Sequence, residues 1–132
     1  MKKKILMLDD DEELCEEIAE ILIDEGYRVT TAFDGLRGKR LVEKYDYDIL
    51  ILDVKMPGLS GLDILESIKG QNKKLKVIIL TGRPLSKNLQ GERIYGDKEE
   101  NILRLADGII IKPFDIEVLL NKIKELSGKA PA

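Results

Sequence analysis

Along the chain, short apolar runs alternate with longer stretches whose apolar residues recur at helical spacing. The runs Lys4 to Leu8, Arg28 to Ala32, Ile49 to Val54, Val77 to Thr81 and Gly108 to Lys112 read as strands. Three of them are nearly continuous in Ile, Leu and Val, the pattern of strands covered on both faces, and these three are expected at the centre of a sheet. Leu14, Ile18, Ile21 and Leu22 fall at i, i+4, i+7 and i+8 in a helix that starts near Asp11 to Glu13 and ends at Gly26. A second helix is expected over Gly35 to Tyr45. A third places Leu62, Leu65 and Ile68 on one face, and the last places Ile116, Leu119, Leu120, Ile123 and Leu126 there. Between Thr81 and Gly108 the pattern is broken by Arg83-Pro84, Gly91 and Gly96, before a helix near Lys98 to Leu105. The alternation is that of βα units, so the expected fold class is α/β, a doubly wound five-stranded parallel sheet with helices on both faces.

Length and composition narrow this picture. A chain of 132 residues suits one domain, expected over residues 1–126, with 127–132 a flexible tail or the start of a linker. With 43% hydrophobic and 36% charged residues, and only four apolar residues between Lys4 and Asp9, a cytoplasmic protein without a membrane span or signal peptide is expected. The net charge of −3 arises from 22 basic and 25 acidic residues intermixed, which argues against direct nucleic acid binding. There is no histidine, so histidine-dependent nucleophiles, histidine-ligated zinc and a phosphohistidine on this chain are all excluded. The single cysteine, Cys15, reads as a small buried apolar residue.

In an open parallel sheet, ligands bind beyond the carboxyl ends of the strands. There the chain places Asp9, Asp10 and Asp11 after the first strand, Asp53 at the end of the third, Thr81-Gly82 at the end of the fourth and Lys112-Pro113 at the end of the fifth. Gathered carboxylates repel one another unless a cation joins them or one stays protonated. Mg2+ suits a few carboxylate oxygens and shares its remaining positions with phosphate. A carboxylate nucleophile, an ammonium and a hydroxyl beside it point to phosphoryl chemistry.

Ile5-Leu6-Met7-Leu8-Asp9-Asp10-Asp11, Leu52-Asp53-Val54-Lys55-Met56-Pro57-Gly58, Leu80-Thr81-Gly82 and Lys112-Pro113-Phe114 resemble, in this order, the four signatures of response regulator receiver domains. The resemblance spans nearly the whole chain. It implies the flavodoxin-like strand order 2-1-3-4-5 and a phosphoacceptor role for Asp53 in two-component phosphorelay signalling. It further implies that Asp10 and Asp53 bind Mg2+ directly, that Asp9 binds it through a water, and that the Lys55 backbone carbonyl is another ligand. Thr81 and Lys112 would contact the phosphoryl group, the Lys112-Pro113 bond would be cis, and Gly58 and Gly61 would shape the loop beyond Asp53. The implied partners are a sensor histidine kinase or histidine phosphotransfer protein and a downstream protein effector; the implied protein is no enzyme beyond its own phosphorylation and dephosphorylation. Asp11 reads as a helix cap.

Three other readings compete. An aspartate-nucleophile phosphohydrolase similar to the haloacid dehalogenase family would use Asp9 and Asp11, but Glu12 and Glu13 stand where its glycine and threonine are usual, and Asp53 is left without a purpose. A flavodoxin would need a hydroxyl- and glycine-rich loop after the first strand, where three aspartates stand. A degenerate receiver acting only as a binding module would not need Asp9, Asp10, Asp53, Thr81 and Lys112 together. Two features depart from the family pattern. Ile109 occupies the position of a frequent aromatic switch residue, and Leu85 to Asp97 is a longer segment than usual, which reads equally as the shaper of a partner surface or as a tolerated insertion without function.

Overall fold

The computed structural model describes residues 2–54, 60–71, 74–82 and 96–128. Ten elements follow in strict alternation: β1 Lys4–Leu8, α1 Glu12–Asp24, β2 Arg28–Ala32, α2 Gly35–Lys44, β3 Ile49–Asp53, α3 Gly61–Gln71, β4 Lys76–Thr81, α4 Asp97–Leu103, β5 Gly108–Ile111 and α5 Ile116–Leu126. The five strands are parallel in the order β2-β1-β3-β4-β5, as expected. Element ends differ from the sequence pattern by one or two residues: β3 stops at Asp53, β5 stops at Ile111, and α4 runs two residues shorter than expected at its C-terminus. The expected Leu85 to Asp97 segment lies, over 85–95, outside the described residues, as do Arg83, Gly58 and 129–132.

Alternation along the strands sorts the core. Leu6, Leu8, Leu50, Leu52, Val77 and Ile79 face one side, where they pack with Leu62, Leu65 and Ile68 of α3, Ile102 and Leu103 of α4, and Leu41 of α2. Ile5, Met7, Ile49, Ile51, Ile78 and Leu80 face the other, against Cys15, Ile18 and Leu22 of α1 and Leu119, Leu120 and Ile123 of α5. β1, β3 and β4 are central and almost wholly buried. β5 is an edge strand despite its three isoleucines, and Ile111 is 48% exposed there. Leu14 and Ile21 are only partly buried; Cys15, one position along from Leu14, is wholly buried, as is Leu22.

Local signals set the helix ends. Asp11 caps α1 by accepting a 3.0 Å bond from the Leu14 amide, and Asp34 caps α2 by accepting from the Arg37 amide at 2.8 Å. Gly26 takes a φ of 98°, a left-handed conformation that turns the chain from α1 into β2. A clamp not visible in the sequence joins β4 to α3: Asp107 accepts bonds from the Lys69 ammonium at 2.6 Å and the Val77 amide at 2.8 Å. Although burial raises its pKa, these bonds hold the Asp107 carboxyl below its ordinary value.

Candidate functional site

Because all five strands run the same way, their carboxyl ends meet at one edge. Asp53 pairs in register with Leu80, so Thr81 ends the neighbouring strand one residue further on; Leu8 pairs with Leu52, which brings Asp9 and Asp10 beside Asp53. Carboxylate oxygens of Asp9, Asp10 and Asp53 lie within 4.8 Å of one another. Asp9, Asp53 and Thr81 are the buried polar residues among those described, whereas Asp10 is exposed.

Lys112 enters from β5. Its ammonium donates to Asp9 Oδ2 at 2.7 Å and stands 3.8 Å from Asp53 Oδ1, an ion-pair distance without a hydrogen bond. Its backbone amide donates to the Thr81 carbonyl at 2.8 Å, and the Lys112-Pro113 peptide bond is cis. Desolvation pulls the lysine pKa down, but the Asp9 bond and the charges of Asp53, Asp9 and Asp10 outweigh it and raise the pKa above its usual value. Lys112 is thus a fixed positive charge at neutral pH.

Asp9 is an anchor. It is wholly buried, its Oδ2 is held by Lys112, and its Oδ1 accepts from the Asp11 amide at 3.0 Å. A carboxylate so engaged is poorly placed to attack a substrate, which disfavours the phosphohydrolase reading in which Asp9 is the nucleophile. Cys15 donates from Sγ to the Asp9 carbonyl at 3.4 Å, and burial followed by the charges of Asp9 and Asp11 pushes its thiol up to about 12. It is therefore an inert core residue.

Gly61 packs its backbone directly against the end of β3. The Gly61 amide donates to the Val54 carbonyl at 3.0 Å, and a Cβ here would run into the Asp53 carbonyl oxygen and the Val54 Cα, both of them backbone atoms that cannot swing aside. Ser60 fastens the start of α3, accepting from the Asp63 amide at 3.2 Å while donating to its carboxylate at 3.0 Å. Gly61→Ala is expected to lower unfolding free energy by about 1–3 kcal/mol and to displace Asp53, read as a lower urea midpoint together with weaker phosphoryl uptake. An unchanged midpoint would show that α3 can move away freely.

The structure thus gathers Asp9, Asp10, Asp53 and Lys112 at one edge and ends β4 with Thr81 there. Lys55 lies outside the described residues. Ile109, in the position where the family often carries an aromatic, is partly buried against the core cluster that includes Ile102 and Leu103. The three clustered carboxylates are a hard-oxygen donor set of the kind that suits Mg2+.

A family model for the response regulator receiver domain matches residues 5–124. The chain belongs to this family. It is a receiver domain of two-component signalling, a class phosphorylated by histidine kinases. This receiver domain is 32% identical over 128 residues to the response regulator ArlR of Staphylococcus aureus, covering 97% of this chain and 54% of that protein. The chain spans about half the length of the curated relatives it matches. Its fold is similar to a CheY-like receiver domain from Methanospirillum hungatei (TM-score 0.82, 29% identity, 97% of this chain and 96% of that one). It is also similar to the response regulator TrrA of Thermotoga maritima, whose structure is a complex with Mg2+ and BeF (TM-score 0.77, 32% identity, 94% and 98% covered). No helix among the described residues is long and apolar enough to cross a membrane.

Proposed function

We propose that Asp53 is the phosphoacceptor of this receiver domain, and that Thr81 and Lys112 hold the transferred group. The observation that supports this most is the meeting of three carboxylates within 4.8 Å under the Lys112 ammonium. Asp10 and Asp53 would hold Mg2+ directly and Asp9 through a water, the last in keeping with the engagement of both Asp9 oxygens by protein donors. When bound, Mg2+ supplies charge neutralisation to the phosphoryl oxygens.

The rest is done by side chains. An Asp53 oxygen bonds to phosphorus as the bond to the donor's imidazole nitrogen breaks, and the nitrogen leaves with that electron pair. Lys112, held beside Asp53 by its anchor Asp9, offsets charge on the phosphoryl oxygens, and the Thr81 hydroxyl donates to one of them. The donor is a sensor histidine kinase or histidine phosphotransfer protein, and a protein effector reads the result. Catalysis is confined to the domain's own phosphorylation and dephosphorylation. The proposed domain limits are 1–126, ending with α5, with 127–132 a tail or linker, and the proposed setting is the cytoplasm.

The test is incubation with Mg2+ and acetyl phosphate followed by peptide mapping, which should place the phosphoryl group on Asp53. Placement on Asp9 or multiple turnover of phosphomonoesters would overturn the reading. Mg2+ should also raise the melting temperature, because it binds the native state and relieves carboxylate repulsion. At a hundredfold excess over its Kd the gain is about 2.7 kcal/mol; no shift in differential scanning calorimetry at millimolar Mg2+ would count against a formed site.

A further inference from the structure

Two surfaces on opposite faces of the sheet carry charge that finds no ion-pair partner among the described residues. The first is a groove made of two adjoining cavities of about 630 and 660 Å³, which share Leu41, Lys44 and Tyr45 and run between α2 and the β2 edge. Lys4, Arg28, Arg37, Arg40 and Lys44 line it, against Asp34 and Asp46 alone, in a chain whose net charge is −3. Lys4 and Arg28 are register partners on adjacent strands, a like-charge pair that costs stability unless an anion joins it. None of the five cations forms an ion pair among the described residues, although Lys44 lies 5.4 Å from the Tyr45 ring centre.

The second surface is α1. Glu12, Glu13, Glu16, Glu17, Glu20 and Asp24 are all exposed, without a basic residue in the helix and without an ion pair among the described residues. Glu13, Glu17, Glu20 and Asp24 recur along one side over about 16 Å at the helical rise of about 1.5 Å per residue. Arg37, Arg40 and Lys44 span about 10 Å of α2 by the same measure, with Arg28 and Lys4 continuing the positive line. Each surface also leaves a large apolar side chain in water: Ile23 on α1 is 53% exposed, and Leu36 and Tyr45 beside the groove are 48% and 52% exposed.

α1 packs on one face of the sheet with α5, and α2 packs on the other with α3 and α4, so the two surfaces cannot meet within one molecule. We propose that the α2 groove receives the acidic α1 face of a second copy of this chain, in a head-to-tail contact. Charge sets the register, and Ile23 against Leu36 and Tyr45 adds apolar burial. Such a contact is heterologous, because each copy offers one face of each kind, and it therefore builds open chains, or rings where the rotation closes.

The test is sedimentation equilibrium of the full chain at up to about 1 mM, a concentration that detects affinities of the millimolar class. Self-association is expected in about 10 mM salt, where the screening length is about 30 Å, and its loss in about 1 M salt, where it is about 3 Å. Glu17→Lys with Glu20→Lys, and separately Arg37→Glu with Arg40→Glu, should each be monomeric at low salt. An equimolar mixture of the two doubly substituted proteins should associate again, since every contact then pairs acid with base, and this recovery shows that both are folded. A wild type that stays monomeric at low salt, variants that associate as the wild type does, or a mixture that stays monomeric would each overturn the proposal.

Discussion

Asp53→Ala is expected to take up no phosphoryl group from acetyl phosphate in the presence of Mg2+, while losing no stability. The first half follows from the site: with Asp9 wholly buried and both of its oxygens engaged, Asp53 is the carboxylate placed at the end of β3 under the Lys112 ammonium. Asp10 is close, but it is exposed and, among the described residues, makes neither a hydrogen bond nor an ion pair with Lys112, so it is a poor substitute nucleophile. The second half follows from electrostatics, because removing one of three carboxylates that lie within 4.8 Å relieves repulsion that outweighs the lost 3.8 Å ion pair with Lys112, which keeps its bond to Asp9. Intact mass measurement reads the first half and urea unfolding the second. Phosphorylation of the variant at the wild-type level would show that another side chain is the acceptor. A marked fall in its urea midpoint would show that Asp53 supports the fold as well as the chemistry.

Lys112→Met is expected to be the most destabilising single change at the site. It leaves the wholly buried Asp9 carboxylate without its 2.7 Å partner. Removing one member of a buried ion pair costs about 3–5 kcal/mol, and the lower end applies because the lysine itself is about a quarter exposed. The Asp9→Asn and Lys112→Met double variant should lose less than the sum of the single losses, by about 1–3 kcal/mol, as expected for residues in contact. The pH dependence has a definite sign. The folded-state pKa of Lys112 lies above 10.5, so its contribution is complete below that value and is lost only as pH climbs through the higher folded-state value. Wild-type stability should therefore begin to fall through this group only in strongly alkaline buffer, and Lys112→Met should lack that alkaline loss. A single variant as stable as the wild type would mean that Asp9 tolerates burial alone.

The legible parts of this protein share a cause. A strand buried on both faces must be apolar throughout, and a surface helix must be apolar on one side, so the runs at Ile5 to Leu8, Ile49 to Leu52 and Val77 to Leu80 announce their place before any contact is known. Polar residues that follow such runs fall at the strand ends, and parallel strands bring those ends together. That is why Asp9, Asp10, Asp53, Thr81 and Lys112 could be named together. The apolar run Ile109-Ile110-Ile111 does not by itself announce an edge strand; the strand order implied by the family resemblance does, and pairing with β4 alone leaves Ile111 exposed. Cys15 is wholly buried where Leu14 is only partly so, a matter of helix rotation that the spacing does not decide.

The ladder of βα units, the parallel sheet they build and the set of side chains at its carboxyl edge follow from period and composition, which are local properties. What those side chains do to one another depends on contacts between distant parts of the chain. Lys112 lies 103 residues from Asp9 along the chain, and only the closing of β5 onto β4 brings its ammonium to 2.7 Å from the Asp9 carboxylate. The same holds for Asp107 and Lys69, and for the acidic α1 and basic α2 surfaces, whose separation on opposite faces of the sheet follows from packing across many residues.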